Sequence, residues 1–137
     1  MRVLIDSDVL LDSALERAEF QANSVAILAW AEQQPGSGWI SWHTLSNIYY
    51  VGRRLRGDEI IRDFLREILG FLEVPATDHL GARQALALPM VDFEDALQAM
   101  SALTARADLI VTRNTADFRR SPVPAVTPAE FLRRARV

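Results

Sequence analysis

The sequence predicts an α/β fold: a central, mainly parallel sheet of four to five strands, covered on both faces by helices, in a single domain over residues 1–137. Three observations lead there. Short apolar runs of strand length alternate with longer stretches whose apolar residues recur at helical spacing, the pattern of parallel strands joined by helical crossovers. Gly and Pro punctuation falls between these runs. With 137 residues, 50% hydrophobic and 24% charged, the chain is long enough for one core and ordinary in composition for a globular domain.

Each element has its own reason. Val3-Leu4-Ile5 is a buried strand that stops at Asp6. Asp12 to Glu19 reads as a turn with a short helix, and Ala22 to Gln34 as a helix with Val25, Leu28 and Ala29 on one face. Gln34-Pro35-Gly36-Ser37-Gly38 ends it as a turn. Trp39-Ile40-Ser41 is a second strand, followed by a helix over Trp42 to Arg56 that Gly57 breaks. Asp58 opens a helix whose Ile60, Ile61, Phe64, Leu65, Ile68 and Leu69 share helical spacing, and Gly70 closes it. Phe71 to Val74 is a third strand ending at Pro75. Asp78 to Leu88 and Met90 to Arg106 are helices, the second with Ala96, Leu97, Met100 and Leu103 facing inward. Ala107 to Val111 is a fourth strand, Thr112 to Ser121 a polar loop, and Val123 to Val126 a fifth strand. In Thr127-Pro128-Ala129-Glu130 the Thr caps a last helix, Pro takes the first turn and Glu130 reaches back as a capping box.

Composition removes several classes of function. No apolar run approaches the roughly 20 residues of a membrane span, and the chain enters a strand directly, so no membrane role and a cytoplasmic location are expected. Cys is absent, which excludes disulfides, a thiol nucleophile and Cys-based zinc sites. All fifteen basic residues are Arg. Without Lys, a Walker-type phosphate loop and Schiff-base chemistry are excluded. A net charge of −3 does not by itself point to nucleic acid.

The chemistry lies in the acids. In a parallel sheet, residues just after each strand and at the next helix start collect along one edge, where ligands bind. Asp6 follows the first strand, Asn47 lies in the helix after the second, Asp92, Glu94 and Asp95 open the helix before the fourth, and Asn114 and Asp117 follow the fourth. Each has a plainer explanation. A lone Asp can be a cap, an acidic first turn suits the helix dipole, and Asn-Thr-Ala-Asp is ordinary loop chemistry. Four separate segments at corresponding ends point instead to a common site. Hard divalent cations take carboxylate and water oxygens, and one or two of them activate water against a phosphodiester.

In order, Val3-Leu4-Ile5-Asp6-Ser7-Asp8-Val9-Leu10-Leu11-Asp12, Ile40-Ser41 with Thr44-Leu45-Ser46-Asn47-Ile48-Tyr49-Tyr50, Asp92-Phe93-Glu94-Asp95-Ala96-Leu97, Asp108-Leu109-Ile110-Val111-Thr112-Arg113-Asn114-Thr115-Ala116-Asp117-Phe118 and Val126-Thr127-Pro128-Ala129-Glu130-Phe131-Leu132 are spread along nearly the whole length of the chain. This set resembles the PIN-domain family, in particular its VapC-like toxin ribonucleases. The resemblance implies a PIN-like three-layer sandwich and a metal-dependent endoribonuclease that binds Mg²⁺ or Mn²⁺. It implies Asp6, Asp95 and Asp117 as metal acids, Asp92 as a further catalytic neighbour, and Asn114 as an alternative fourth position. Asn47, Asn114, Thr112, Arg113 and Glu94 are then supporting or substrate-contacting residues. It also implies an RNA substrate, a cognate antitoxin and a homodimer. One departure stands out: the family's second acid, usually Glu, falls at Asn47, whose amide oxygen carries no charge. Glu94 and His43 are the residues placed to compensate. Arg113, Arg119 and Arg120 flank the fourth acidic segment, whereas Arg53, Arg54 and Arg56 complement a helix C-terminus. Trp39, Trp42, Tyr49 and Tyr50 read first as packing residues, with base stacking as the alternative.

Three readings compete. The first is the metal-dependent ribonuclease. The second is a non-catalytic PIN-like module that binds RNA, an antitoxin or its own copy, motivated by Asn47. The third is an aspartyl phosphotransferase built on Asp6-Ser7-Asp8. That chemistry needs a Lys to steady the phospho-aspartate, and Asp8 is set aside with it.

Overall fold

The computed structural model describes residues 1–137. At its centre β1 (Val3–Ile5) is buried along its whole length. It is flanked on one side by β2 (Gly38–Trp39) and on the other by β3 (Leu109–Val111), which pairs in turn with β4 (Ala125–Val126). All the pairings are parallel. Between β1 and β2 run α1 (Ser7–Ala14) and α2 (Gln21–Gln33). Between β2 and β3 run α3 (Trp42–Arg56), α4 (Asp58–Leu69), α5 (His79–Ala87) and α6 (Phe93–Thr104). A 3₁₀ turn, Thr115–Phe118, precedes β4, and α7 (Pro128–Ala135) closes the chain.

Alternation along the strands builds two cores, because successive side chains point to opposite faces of a sheet. Val3, Ile5, Leu109 and Val111 join Leu10, Ile27, Ile48, Ile61 and Phe131 on one face. Leu4 and Ile110 meet Ala99, Ala102, Phe118 and Val123 on the other. The chain leaves β1 for β2 on one side and returns to β3 on the other. The crevice beyond the carboxyl ends of β1 and β3 is therefore a topological switch point, the usual ligand site of such sheets.

Several expectations shift. The helix expected over Asp12–Glu19 starts at Ser7, because the Asp6 side chain caps it directly and Glu16, with φ of 52°, ends it. The third strand over Phe71–Val74 shrinks to one bridge between Trp39 and Glu73, since Pro75 has no N–H to continue the ladder. The sheet thus has four strands. On α2 the buried residues are Ser24, Ile27 and Ala31, while Val25 is exposed. That helix is apolar nearly all round, so periodicity could not orient it. On α6 the sheet takes the small face of Ala99 and Ala102, and Leu103 is exposed. The capping box is half made. Thr127 Oγ accepts from the Glu130 N–H at 3.2 Å, but the Glu130 carboxylate pairs with Arg134.

Candidate active site

Asp6 sits where β1 meets α1. Its Oδ1 accepts from the Ser7 N–H at 2.8 Å, capping the helix. Its Oδ2 accepts from the Thr112 hydroxyl at 2.8 Å, across the β1–β3 seam. Only 7% of the residue is exposed. Burial, then the charge of Asp8, push its carboxyl up to about 7 against these two hydrogen bonds, with Asp95 adding to the rise. Asp8 stands beside it. Its Oδ2 accepts from the Arg113 N–H at 3.2 Å and the Asn114 amide at 3.1 Å. Its Oδ1 is buried without a hydrogen-bond partner in the protein. Burial raises this carboxyl too, although Arg113 pulls the other way.

The start of α6 supplies the opposite wall. Asp92 caps that helix by accepting from the Asp95 N–H at 2.9 Å, and Glu94 Oε1 accepts from the Asn47 amide at 2.7 Å. Asp95 is raised to about 6, first by burial and then by the charges of Asp92, Asp117, Glu94 and Asp8. A cleft of about 460 Å³ holds Asp6, Asp8, Asn47, Glu94, Asp95 and Asn114, with Arg17 and Tyr50 on its walls. A neighbouring cleft of about 640 Å³ holds Asp92, Asp95, Asp117, Arg119 and Arg120. The expected acids therefore divide between two clefts that meet at Asp95. Asp117 lies in the second because Phe118, anchored in the core, ends the 3₁₀ turn that carries it.

The PIN domain model matches residues 2–116 of this sequence. The chain belongs to the PIN-domain family. No curated protein sequence matches it significantly. Among solved structures it is similar to VapBC2 from Rickettsia felis bound to a promoter DNA fragment, at 17% identity and TM-score 0.70, covering 93% of this chain and 98% of that one. A toxin–antitoxin complex from Klebsiella pneumoniae is similar at 24% identity and TM-score 0.68, covering 92% and 97%. VapC20 from Mycobacterium tuberculosis, a toxin that cleaves the sarcin–ricin loop, is similar at 12% identity and TM-score 0.65, covering 79% and 86%. At these identities the structures speak for the PIN fold.

The residues of this PIN cleft suit a hard divalent cation. Four carboxylates, Asp6, Asp8, Glu94 and Asp95, line it beside one Arg. That Arg17 is itself paired with Asp12 at 3.2 Å. Burial first, and then their mutual repulsion, raises the carboxyls of Asp6 and Asp95, and the orphaned Asp8 Oδ1 costs roughly 1–3 kcal/mol unless something satisfies it. As the side chains stand, no three acidic or histidine residues are close enough to grip one ion. One or two carboxylates with water completing the shell is, however, how Mg²⁺ is commonly held.

Other residues fall differently from the sequence reading. The Arg113 guanidinium is turned away from both clefts. It donates to both Asp12 oxygens, at 2.7 and 3.1 Å, and stacks 4.0 Å over the Phe20 ring. Of the Arg residues flanking the fourth acidic segment, Arg119 and Arg120 line the second cleft. His43 borders a separate small cavity with Trp42 and Met100. Asp8, set aside on sequence, is part of the acidic cleft. The visible signal is its place in the first turn after Asp6.

A buried polar network beneath the cleft left no sequence signal at all. Gln98 Nε2 donates to Thr44 Oγ at 2.9 Å and to Ser7 Oγ at 3.2 Å, and Ser41 donates to Gln98 Oε1 at 2.8 Å. Gln98 is fully buried. It ties α1, α3 and α6 together directly under the acids, where a Gln in a helix would ordinarily be read as solvent-facing.

Proposed function

We propose that this chain is a metal-dependent endoribonuclease that hydrolyses RNA phosphodiester bonds, and that it is the toxin of a toxin–antitoxin pair. The observation that carries the reading is the close placement of Asp6 and Asp95 at the switch point, both with carboxyls raised by burial and by neighbouring acids. Membership of the PIN family supports it. So do the neighbours, which include a toxin–antitoxin complex and a toxin that cleaves the sarcin–ricin loop.

In this reading Asp6 and Asp95 hold Mg²⁺ or Mn²⁺, with Asp8, Glu94 and Asp117 adding negative charge. When bound, such an ion supplies positive charge that draws the phosphate, acidifies a ligated water and stabilises the leaving oxygen. The chain's own part is positional. Thr112 and the Ser7 N–H fix the Asp6 carboxylate, and Asp92 sets the first turn of α6 that presents Asp95. Arg119 and Arg120 attract the RNA backbone, and Tyr50, exposed at the cleft edge, offers a ring to a base. Hydrolysis adds water across one P–O bond. A cognate antitoxin and a second copy of the chain are the proposed partners, and the cytoplasm the proposed location. No helix is long and apolar enough to cross a membrane.

The test is cleavage of single-stranded RNA with Mg²⁺ or Mn²⁺ by the wild type, Asp6→Ala and Asn47→Glu. We expect cleavage by the wild type and a loss in Asp6→Ala of at least the roughly 10–100-fold that removing even an outer-shell partner of a metal costs. Full activity in Asp6→Ala sinks the site. A second reading, a non-catalytic PIN module that binds RNA, an antitoxin or itself, rests on the uncharged Asn47. It gains if the wild type is silent and Asn47→Glu cleaves.

A further inference from the structure

Position 47 is where the family resemblance places an acid on α3, and here it is an amide. The structure shows what that amide does. Asn47 Nδ2 donates to Glu94 Oε1 at 2.7 Å and lies 3.5 Å from Ser7 Oγ, a member of the buried Gln98 network. The side chain of residue 47 is thus fixed from below and carries a carboxylate at its tip. A Glu at 47 would extend about 1.5 Å beyond an Asn, one C–C bond. The Glu94 oxygen therefore lies near the place such a carboxylate would reach. Glu94 also lines the same cleft as Asp6 and Asp95. The other compensating candidate, His43, faces a different cavity.

We propose that Glu94, held by the Asn47 amide, supplies from α6 the carboxylate that α3 lacks, so that the two residues together replace one acid in binding a divalent cation. The proposal rests on the cation-dependent reading above. Its charge balance is simple: the Asn-for-Glu change removes one negative charge and Glu94 restores it to the same cleft. Glu94 also acts electrostatically on Asp95, whose carboxyl it helps to raise. The competing explanation is that the contact only ties α3 to α6. Glu94→Gln separates the two, because a Gln oxygen still accepts from Asn47 while the charge is gone.

The experiment is Mn²⁺ binding by isothermal titration calorimetry near neutral pH, on the full chain, for wild type, Glu94→Gln and Asn47→Glu/Glu94→Gln. Circular dichroism checks that each is folded. We expect Glu94→Gln to weaken Mn²⁺ binding about tenfold or more and the double variant to recover most of the loss. Wild-type affinity in Glu94→Gln overturns the proposal and leaves the nuclease reading intact, as does a folded double variant with no recovery. If the double variant does not fold, Glu94→Gln alone decides. A wild type that binds no Mn²⁺ overturns the metal-dependent reading and this proposal with it.

Discussion

Asp6 is held by opposing forces. Two hydrogen bonds favour its charged form, while burial and Asp8 oppose it more strongly, leaving the carboxyl at about 7. A carboxyl raised on folding contributes stability below its unfolded value near 4, and that contribution is lost as pH climbs through 7. The metal-free protein should therefore lose stability between about pH 4 and pH 7 on account of this residue. Asp6→Asn keeps the helix cap, for which Asn serves as well as Asp, and removes the charge. In EDTA at pH 8 it should melt a few degrees higher than wild type, about 1–3 kcal/mol, with the gap closing near pH 4. A lower melting temperature at pH 8 would mean that the bonds to Thr112 and Ser7 outweigh burial. Asp12 is a buried acid with cationic partners. Paired with Arg113 and Arg17, it is structural, and it removes Arg113 from the list of cleft cations.

At the scale of elements, the site depends on how closely helices approach. α3 carries Asn47 and packs on α4 through Gly52, where an added Cβ would lie 2.6 Å from Ile61 Cδ1 and 2.7 Å from Cγ1. An added methyl fits only if the Ile61 side chain gives way or the two helices part. Gly52→Ala should cost about 1–3 kcal/mol in urea unfolding despite the better helix propensity of Ala. Ile61→Ala alone leaves a cavity and costs about 2–5 kcal/mol. Because the new methyl would enter that cavity, the double variant should be less destabilised than the sum, by about 1 kcal/mol or more. Strict additivity would show that α3 shifts away instead of pressing on Ile61, and Asn47 with it. The same principle governs α6, whose small Ala99 and Ala102 let its backbone approach β1 and β3, bringing Asp95 over the strand ends.

For the molecule as a whole, strand order 2-1-3-4 brings the ends of β1 and β3 together, and six acids gather around two clefts joined at Asp95. The excess negative charge makes a bound cation stabilising in proportion to the carboxylates that are ionised. With Asp6 at about 7 and Asp95 at about 6, protons would compete with the proposed cation as pH falls. Millimolar Mn²⁺ should raise the melting temperature by several degrees at pH 8 and by little near pH 5. Equal shifts at both pH values would place the ion away from Asp6 and Asp95.

The alternation of apolar runs determined the α/β class, and Trp42–Arg56 and Asp58–Leu69 were legible to the residue because Gly57 and Gly70 punctuate them. The end of the first strand pointed to Asp6, a matter of local spacing that survives without knowledge of neighbours. The family came through the resemblance of ordered motifs, and the PIN domain match over residues 2–116 shows it. Only the tertiary structure decided that Asp117 stands in a second cleft, that Asp8 belongs to the first, that Arg113 turns to Asp12, and that Gln98 is a buried tie. It alone joined Asn47 to Glu94, 47 residues apart in sequence. Periodicity specifies a face of a helix, but not its rotation when both faces are apolar or its small face is the buried one. A contact between two helices is set by the shapes packed between them, and those shapes are distributed over the whole chain.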